Sequence, residues 1–139
     1  MAAKIIVDAG PLIAFFRSND QHHSWAEEIF KKATPPLFTT ESAVTETAYF
    51  LITAGISAHC VLDWVENGFL NIPFQLDEQA GAVAALMDKY GERMDLADAT
   101  LVRLSELLDN CQVLTTDYND FSVYRRHGRQ IIPLLTPPH

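Results

Sequence analysis

Lys4-Ile5-Ile6-Val7-Asp8 is the stretch on which the fold turns. Its apolar residues run on without a break and are β-branched, the pattern of a strand covered on both faces in a parallel sheet. The run ends on a carboxylate, and the carboxyl end of a central parallel strand is where open α/β sheets place their ligands. Gly10 and Pro11 then turn the chain into Leu12-Ile13-Ala14-Phe15-Phe16, with Pro11 suited to a first helical position. Asp8 is therefore a candidate for two roles at once, N-cap of that helix and member of a site.

Outward from this strand, Gln112-Val113-Leu114-Thr115-Thr116 reads as a second buried strand, and it too ends on an acid, Asp117. Leu37-Phe38-Thr39 and Phe69-Leu70-Asn71-Ile72 are shorter candidates, and Gln130-Ile131-Ile132 is expected to be the last strand. Between them lie helical patterns from Trp25 to Lys32, about Glu41 to Ala54, Ser57 to about Glu66, and Asp77 to Tyr90 with Ala80, Val83, Ala84 and Met87 as its stripe. Another opens at Met94-Asp95-Leu96-Ala97-Asp98-Ala99-Thr100, where Met94, Ala97, Leu101, Leu104 and Leu108 recur at helical spacing and must face the core. Gly55, Asn67-Gly68 and Gly91 close helices. Short apolar strands alternating with helices predict an α/β fold, a central mostly parallel β-sheet flanked by α-helices, in a single domain over residues 1–139.

Four acids stand out by where they fall in these patterns. Asp8 and Asp117 end two strands and meet at one sheet edge if those strands are neighbours. Glu46 is the only charged residue between Glu41 and Asp63, embedded in Ala43-Val44-Thr45-Glu46-Thr47-Ala48-Tyr49-Phe50, and a glutamate on so apolar a helix is costly to bury unless paired or coordinated. The competing possibility is an exposed glutamate beside Tyr49. Asp98 lies at the edge of its apolar stripe, three residues after Asp95, which suits the N-cap of that helix better than Asp98 does. Clustered carboxylates either raise one another's pKa or recruit a cation. All-oxygen ligation suits Mg²⁺ or Mn²⁺, with Asp8 and Asp98 as first ligands and Glu46 and Asp117 binding directly or through water.

The formal net charge of −8 excludes a broad basic face for nucleic acid, although a metal held by converging acids reverses the local field. Arg125, Arg126, His127 and Arg129 cluster near the C-terminus, and solvated surface or a helix end is a better account of them than phosphate contact. Cys60 and Cys111 read as buried thiols rather than a disulfide or zinc site. No apolar run approaches a membrane span, so a cytoplasmic protein without membrane attachment is expected. Neither a phosphoaspartate phosphatase, which wants an aspartate where Gly10 stands, nor a receiver domain, which wants a lysine near Ile132-Pro133, fits.

Ile5-Ile6-Val7-Asp8, Ser42-Ala43-Val44-Thr45-Glu46, Leu96-Ala97-Asp98-Ala99 and Val113-Leu114-Thr115-Thr116-Asp117-Tyr118-Asn119-Asp120-Phe121 occur in an order that resembles the PIN-domain family, and within it the VapC-type toxins. The resemblance implies a metal-dependent endoribonuclease with a Mg²⁺ or Mn²⁺ site at Asp8, Glu46, Asp98 and Asp117. Asp95 would be an additional acid, and Thr115 or Thr116 the nearby hydroxyl. It further implies an RNA substrate, a cognate antitoxin and a homodimer, with a PIN nuclease of RNA processing or a non-catalytic PIN-like module as alternatives. One departure is visible: Ala9 stands where the family often has Ser or Thr.

Overall fold

The computed structural model describes residues 2–138. Strand β1 (Lys4–Val7) leads into α1 (Ala9–Phe16), followed by α2 (His23–Lys32), β2 (Leu37–Phe38), α3 (Glu41–Thr53), α4 (His59–Glu66), β3 (Leu70–Asn71) and α5 (Leu76–Tyr90). A 3₁₀ turn (Gly91–Arg93) precedes α6 (Leu96–Leu107), β4 (Cys111–Leu114), α7 (Tyr118–Phe121), β5 (Arg125–Arg126), β6 (Gln130–Ile131) and β7 (Leu134–Leu135).

The main sheet has five strands in the order β3-β2-β1-β4-β7, and every pairing in it is parallel. β1 sits at its centre, and alternation along the strand splits its side chains between two cores. Ile6 and Val113 face a core with α5, α6 and α7, and there Leu101, Leu104, Phe121 and Tyr124 are sealed from solvent. Val7 and Leu114 face the opposite core, closed by α1, α2, α3 and α4 through Leu12, Phe30, Leu51 and Val61. Both faces are thus covered, which is why the β-branched run at Lys4–Val7 shows no polar alternation.

Several details depart from the sequence expectations. Helix α1 begins at Ala9, so Pro11 lies inside its first turn. The stripe of α5 is Val83, Leu86, Met87 and Tyr90, while Ala80 and Ala84 are exposed. Gln130–Ile131 pairs antiparallel with Arg125–Arg126 in a separate two-stranded sheet, and the main sheet closes instead with Leu134–Leu135 beside β4. Cys111 is buried but Cys60 only partly so, and both thiols are free. Among the described residues no helix is long and apolar enough to cross a membrane.

Arg125 and Arg126 are half-buried and turned onto backbone carbonyls rather than left as solvated surface, and for Arg126 the helix-end account applies. Arg125 Nη1 donates to the carbonyls of Ser122, Val123 and Tyr124 at 2.8, 3.1 and 3.0 Å, fastening the turn after α7. Arg126 Nη2 donates to Ser105 O and Leu108 O at the end of α6, where carbonyls lack helical partners and the helix dipole favours a cation.

Candidate metal centre

β1 and β4 are in register, with Val7 opposite Leu114, so the residues that follow them, Asp8 and Thr115, emerge side by side at the carboxyl edge of the sheet. Asp8 is buried, at 7% exposure. Both its oxygens are held: Oδ1 accepts from Ala9 N–H at 2.8 Å, capping α1, and Oδ2 accepts from the Thr115 hydroxyl at 2.7 Å. The cap and site roles expected for Asp8 thus call on one rigid carboxylate. Of the two threonines named from sequence, Thr115 makes the contact. The Thr116 hydroxyl lies over Gly10, only 2.2 Å from where a Cβ would stand, so glycine is what lets the chain pass there.

Asp117 caps α7, its Oδ1 accepting from Asp120 N–H at 3.0 Å, while its own N–H donates to Thr115 Oγ1 at 3.0 Å. Asp120 is engaged outward, in an ion pair with Arg93 at 3.1 Å. Asp95 is exposed and caps α6, accepting from Asp98 N–H at 2.8 Å. Asp98, in the first turn of α6, is half-buried, and its Oδ2 accepts from the Tyr124 hydroxyl at 2.8 Å. Helices α3 and α6 are linked by a buried hydroxyl pair, Thr40 with Thr100 at 2.8 Å, and Thr40 also caps α3. Two turns further in, Glu46 is partly buried beside the other acids, unlike its exposed neighbour Tyr49.

The electrostatics show which carboxylates share a field. Burial, followed by repulsion from Asp117 and Asp95, lifts Asp8 to about 6 despite its hydrogen bonds. Burial and then the charges of Asp8 and Asp95 lift Glu46 to about 7. Asp98 rises to about 8 through burial and repulsion from Asp95, Asp8 and Asp117, opposed by the Tyr124 hydrogen bond. Burial also raises Asp117. Acids from four separate segments are thus held up by burial and by the charges of Asp8, Asp95 and Asp117, and among the described residues none of Asp8, Glu46, Asp98 and Asp117 has a salt-bridge partner.

Such a donor set fits a hard divalent cation, which would relieve desolvation and repulsion together. Among the described residues no three His, Cys, Asp or Glu side chains already stand close enough to enclose an ion. An open cleft of about 510 Å³ adjoins the acids, lined by Glu46, Asp95, Tyr49, Thr45, Leu96 and Ala97 among others. Tyr124 was not anticipated as part of this region: it is a buried aromatic in an irregular stretch, and nothing in the residue pattern around it points to Asp98.

Comparison with known proteins places this arrangement. No curated protein sequence matches the chain. The crystal structure of VapC20 from Mycobacterium tuberculosis, a sarcin–ricin loop cleaving toxin, superposes with a TM-score of 0.74 at 17% identity, covering 84% of this chain and 92% of that one. A toxin–antitoxin complex from Klebsiella pneumoniae contains a chain similar at a TM-score of 0.68 and 18% identity, over 97% of this chain and 98% of that one. At such identities the likeness is one of fold. The sequence model of the PIN domain matches residues 5–127, a span that holds the main sheet through β4 and all of the clustered acids, and the chain belongs to the PIN domain family.

Proposed function

We propose that this protein is a metal-dependent endoribonuclease that hydrolyses phosphodiester bonds of single-stranded RNA, and that it acts as the toxin of a toxin–antitoxin pair. One observation carries the nuclease reading: Asp8, Glu46, Asp98 and Asp117, from four segments, come together at the carboxyl edge of the sheet, where burial first and then neighbouring carboxylates, Asp95 in every case, push each of them up, and among the described residues none of the four has a salt-bridge partner. The activity of VapC20 on an RNA loop and the complex from Klebsiella pneumoniae support the choice of RNA and of an antitoxin partner. The exposed Tyr49, Phe50, Ile52 and Leu62 on α3 and α4 support a homodimer.

Asp8 and Asp98 would hold the ion, Mg²⁺ or Mn²⁺, with Glu46, Asp117 and Asp95 reaching it directly or through water. A divalent ion bound there supplies positive charge that activates water and offsets the charge developing on the scissile phosphate. The chain contributes rigidity. Asp8 is fixed by Ala9 N–H and the Thr115 hydroxyl, and Asp117 is tied to Thr115 and Asp120, so little reorganisation remains at the moment of reaction. The exposed side of Asp95 leaves the cluster open toward solvent, where an RNA strand can approach.

Purified protein should cleave single-stranded RNA in Mg²⁺ or Mn²⁺ and lose that activity in EDTA. RNA left intact with either metal would refute the nuclease reading and favour a non-catalytic module. Cleavage without growth arrest on expression, and without a complex with the neighbouring gene product, would leave a nuclease of RNA processing and refute the toxin assignment.

A further inference from the structure

Tyr124 is the largest fully buried side chain among the described residues, and its hydroxyl does not serve packing. It lies 2.8 Å from Asp98 Oδ2 and 2.9 Å from Arg93 O. A phenol has one proton for these two acceptors, and Asp98 in its ionised form, the form that binds a cation, takes it in the stronger, charge-assisted bond. The ring has little freedom to move away: it makes edge contacts with Tyr90 at 5.0 Å and Phe121 at 5.2 Å between centroids. Its backbone N–H is held by Asp120 O at 3.2 Å, and Arg125 gathers the carbonyls of Ser122 and Tyr124 into one turn. Among the described residues the hydroxyl is the one hydrogen-bond partner of the Asp98 carboxylate, and it engages Oδ2 only.

We propose that Tyr124 is a positioning residue for the metal centre: its hydroxyl anchors Asp98 Oδ2, fixes the rotamer of that carboxylate on α6, and leaves Oδ1 to the ion. This rests on the nuclease reading given above and extends it to a residue outside the acidic set. A carboxylate on the first turn of a helix otherwise has several rotamers open to it, and fixing one before the ion arrives removes that ordering from the cost of binding. Hydrogen-bond partners of metal ligands typically hold ten- to hundredfold of metal affinity or activity.

Tyr124→Phe removes the hydroxyl and keeps the ring. Metal affinity is read by Mn²⁺ titration followed by electron paramagnetic resonance, alongside cleavage of single-stranded RNA and a thermal melt in EDTA that reports folding independently of metal. The expected result is a folded variant whose Mn²⁺ affinity falls about tenfold or more, with kcat reduced and KM for RNA little changed. Tyr90→Phe strips a hydroxyl from the same aromatic cluster without touching Asp98, and should keep wild-type Mn²⁺ affinity. The proposal is overturned if Tyr124→Phe binds Mn²⁺ as wild type does, whether or not its melting temperature falls, or if Tyr90→Phe loses as much affinity as Tyr124→Phe. Wild-type protein that neither binds Mn²⁺ nor cleaves RNA would instead overturn the nuclease reading itself, and the role of Tyr124 with it.

Discussion

The acidic cluster imposes an unusual pH dependence on the metal-free protein, and Asp8→Asn isolates it. Asp8 titrates at about 6 in the folded chain against an ordinary 3.8, so folding takes up a proton between those values. Stability is greatest below the unfolded pKa and is lost as pH rises through the folded one. At 1.36 kcal/mol for each pH unit between them, the charge on Asp8 costs the metal-free fold about 3 kcal/mol at pH 8 and only about 0.5 kcal/mol at pH 4. Glu46 and Asp98 push in the same direction, by amounts that their partial exposure to solvent reduces. Asparagine keeps an acceptor for Ala9 N–H and removes the charge. Urea denaturation in EDTA should therefore find Asp8→Asn more stable than wild type by a margin that widens from pH 4 to pH 8. Adding Mg²⁺ at pH 8 should narrow that margin, since the ion stabilises the wild type and has lost a ligand in the variant. A margin independent of pH, or a variant less stable than wild type at pH 8, would refute the account of Asp8 as a charge buried against its neighbours.

Other substitutions separate the site from its scaffold. Asp98→Asn should abolish RNA cleavage while the metal-free melt stays at or above wild type, and it should lose most of the roughly 2.7 kcal/mol that a hundredfold excess of Mg²⁺ over its dissociation constant confers. A retained metal-induced shift in a differential scanning experiment would remove Asp98 from the metal site. Arg126→Ala should cost about 1–3 kcal/mol in urea denaturation, because Ser105 O and Leu108 O lose their shared donor, and should leave the salt dependence of RNA binding unchanged. A flattened salt slope would instead place Arg126 on phosphate. Gly10→Ala should destabilise by about 1–3 kcal/mol through overpacking, since its Cβ would collide with the Thr116 hydroxyl; an unchanged melting temperature would show that Thr116 turns aside freely.

How much of this was visible in the residues depended on how local each cause is. β1 and β4 could be read because burial on both faces leaves an uninterrupted apolar run, and Asp8 and Asp117 because they follow such runs. β7 could not, since Leu134–Leu135 is short and follows Pro133. It is a strand only because β4 offers it partners, through Val113 N–H to Pro133 O and Thr115 N–H to Leu135 O. Gln130-Ile131-Ile132 has the stronger strand composition, yet Ile131 is 70% exposed and its strand pairs only with β5. The partners of Arg125 and Arg126 are backbone carbonyls, which no side-chain pattern announces.

The site itself rests on register, a property that spacing along the chain does not reveal. Lys4 pairs with Cys111 and Val7 with Leu114, so Asp8 and Thr115 leave their strands level and within hydrogen-bonding reach. A slip of one residue would turn every side chain of β4 to the opposite face. It would exchange the cores that Val113 and Leu114 now fill and carry Thr115 away from Asp8. The apolar residues that cover the two faces therefore fix the register, and the register delivers the hydroxyl to the carboxylate. In the same way the stripe of α6 that buries Leu101 and Leu104 sets the rotation of that helix, leaving Asp98 half-buried and within reach of Tyr124. The geometry of the acidic cluster is in this sense a by-product of core packing, which is why substitutions among the buried Leu and Val residues should disturb metal binding as well as stability.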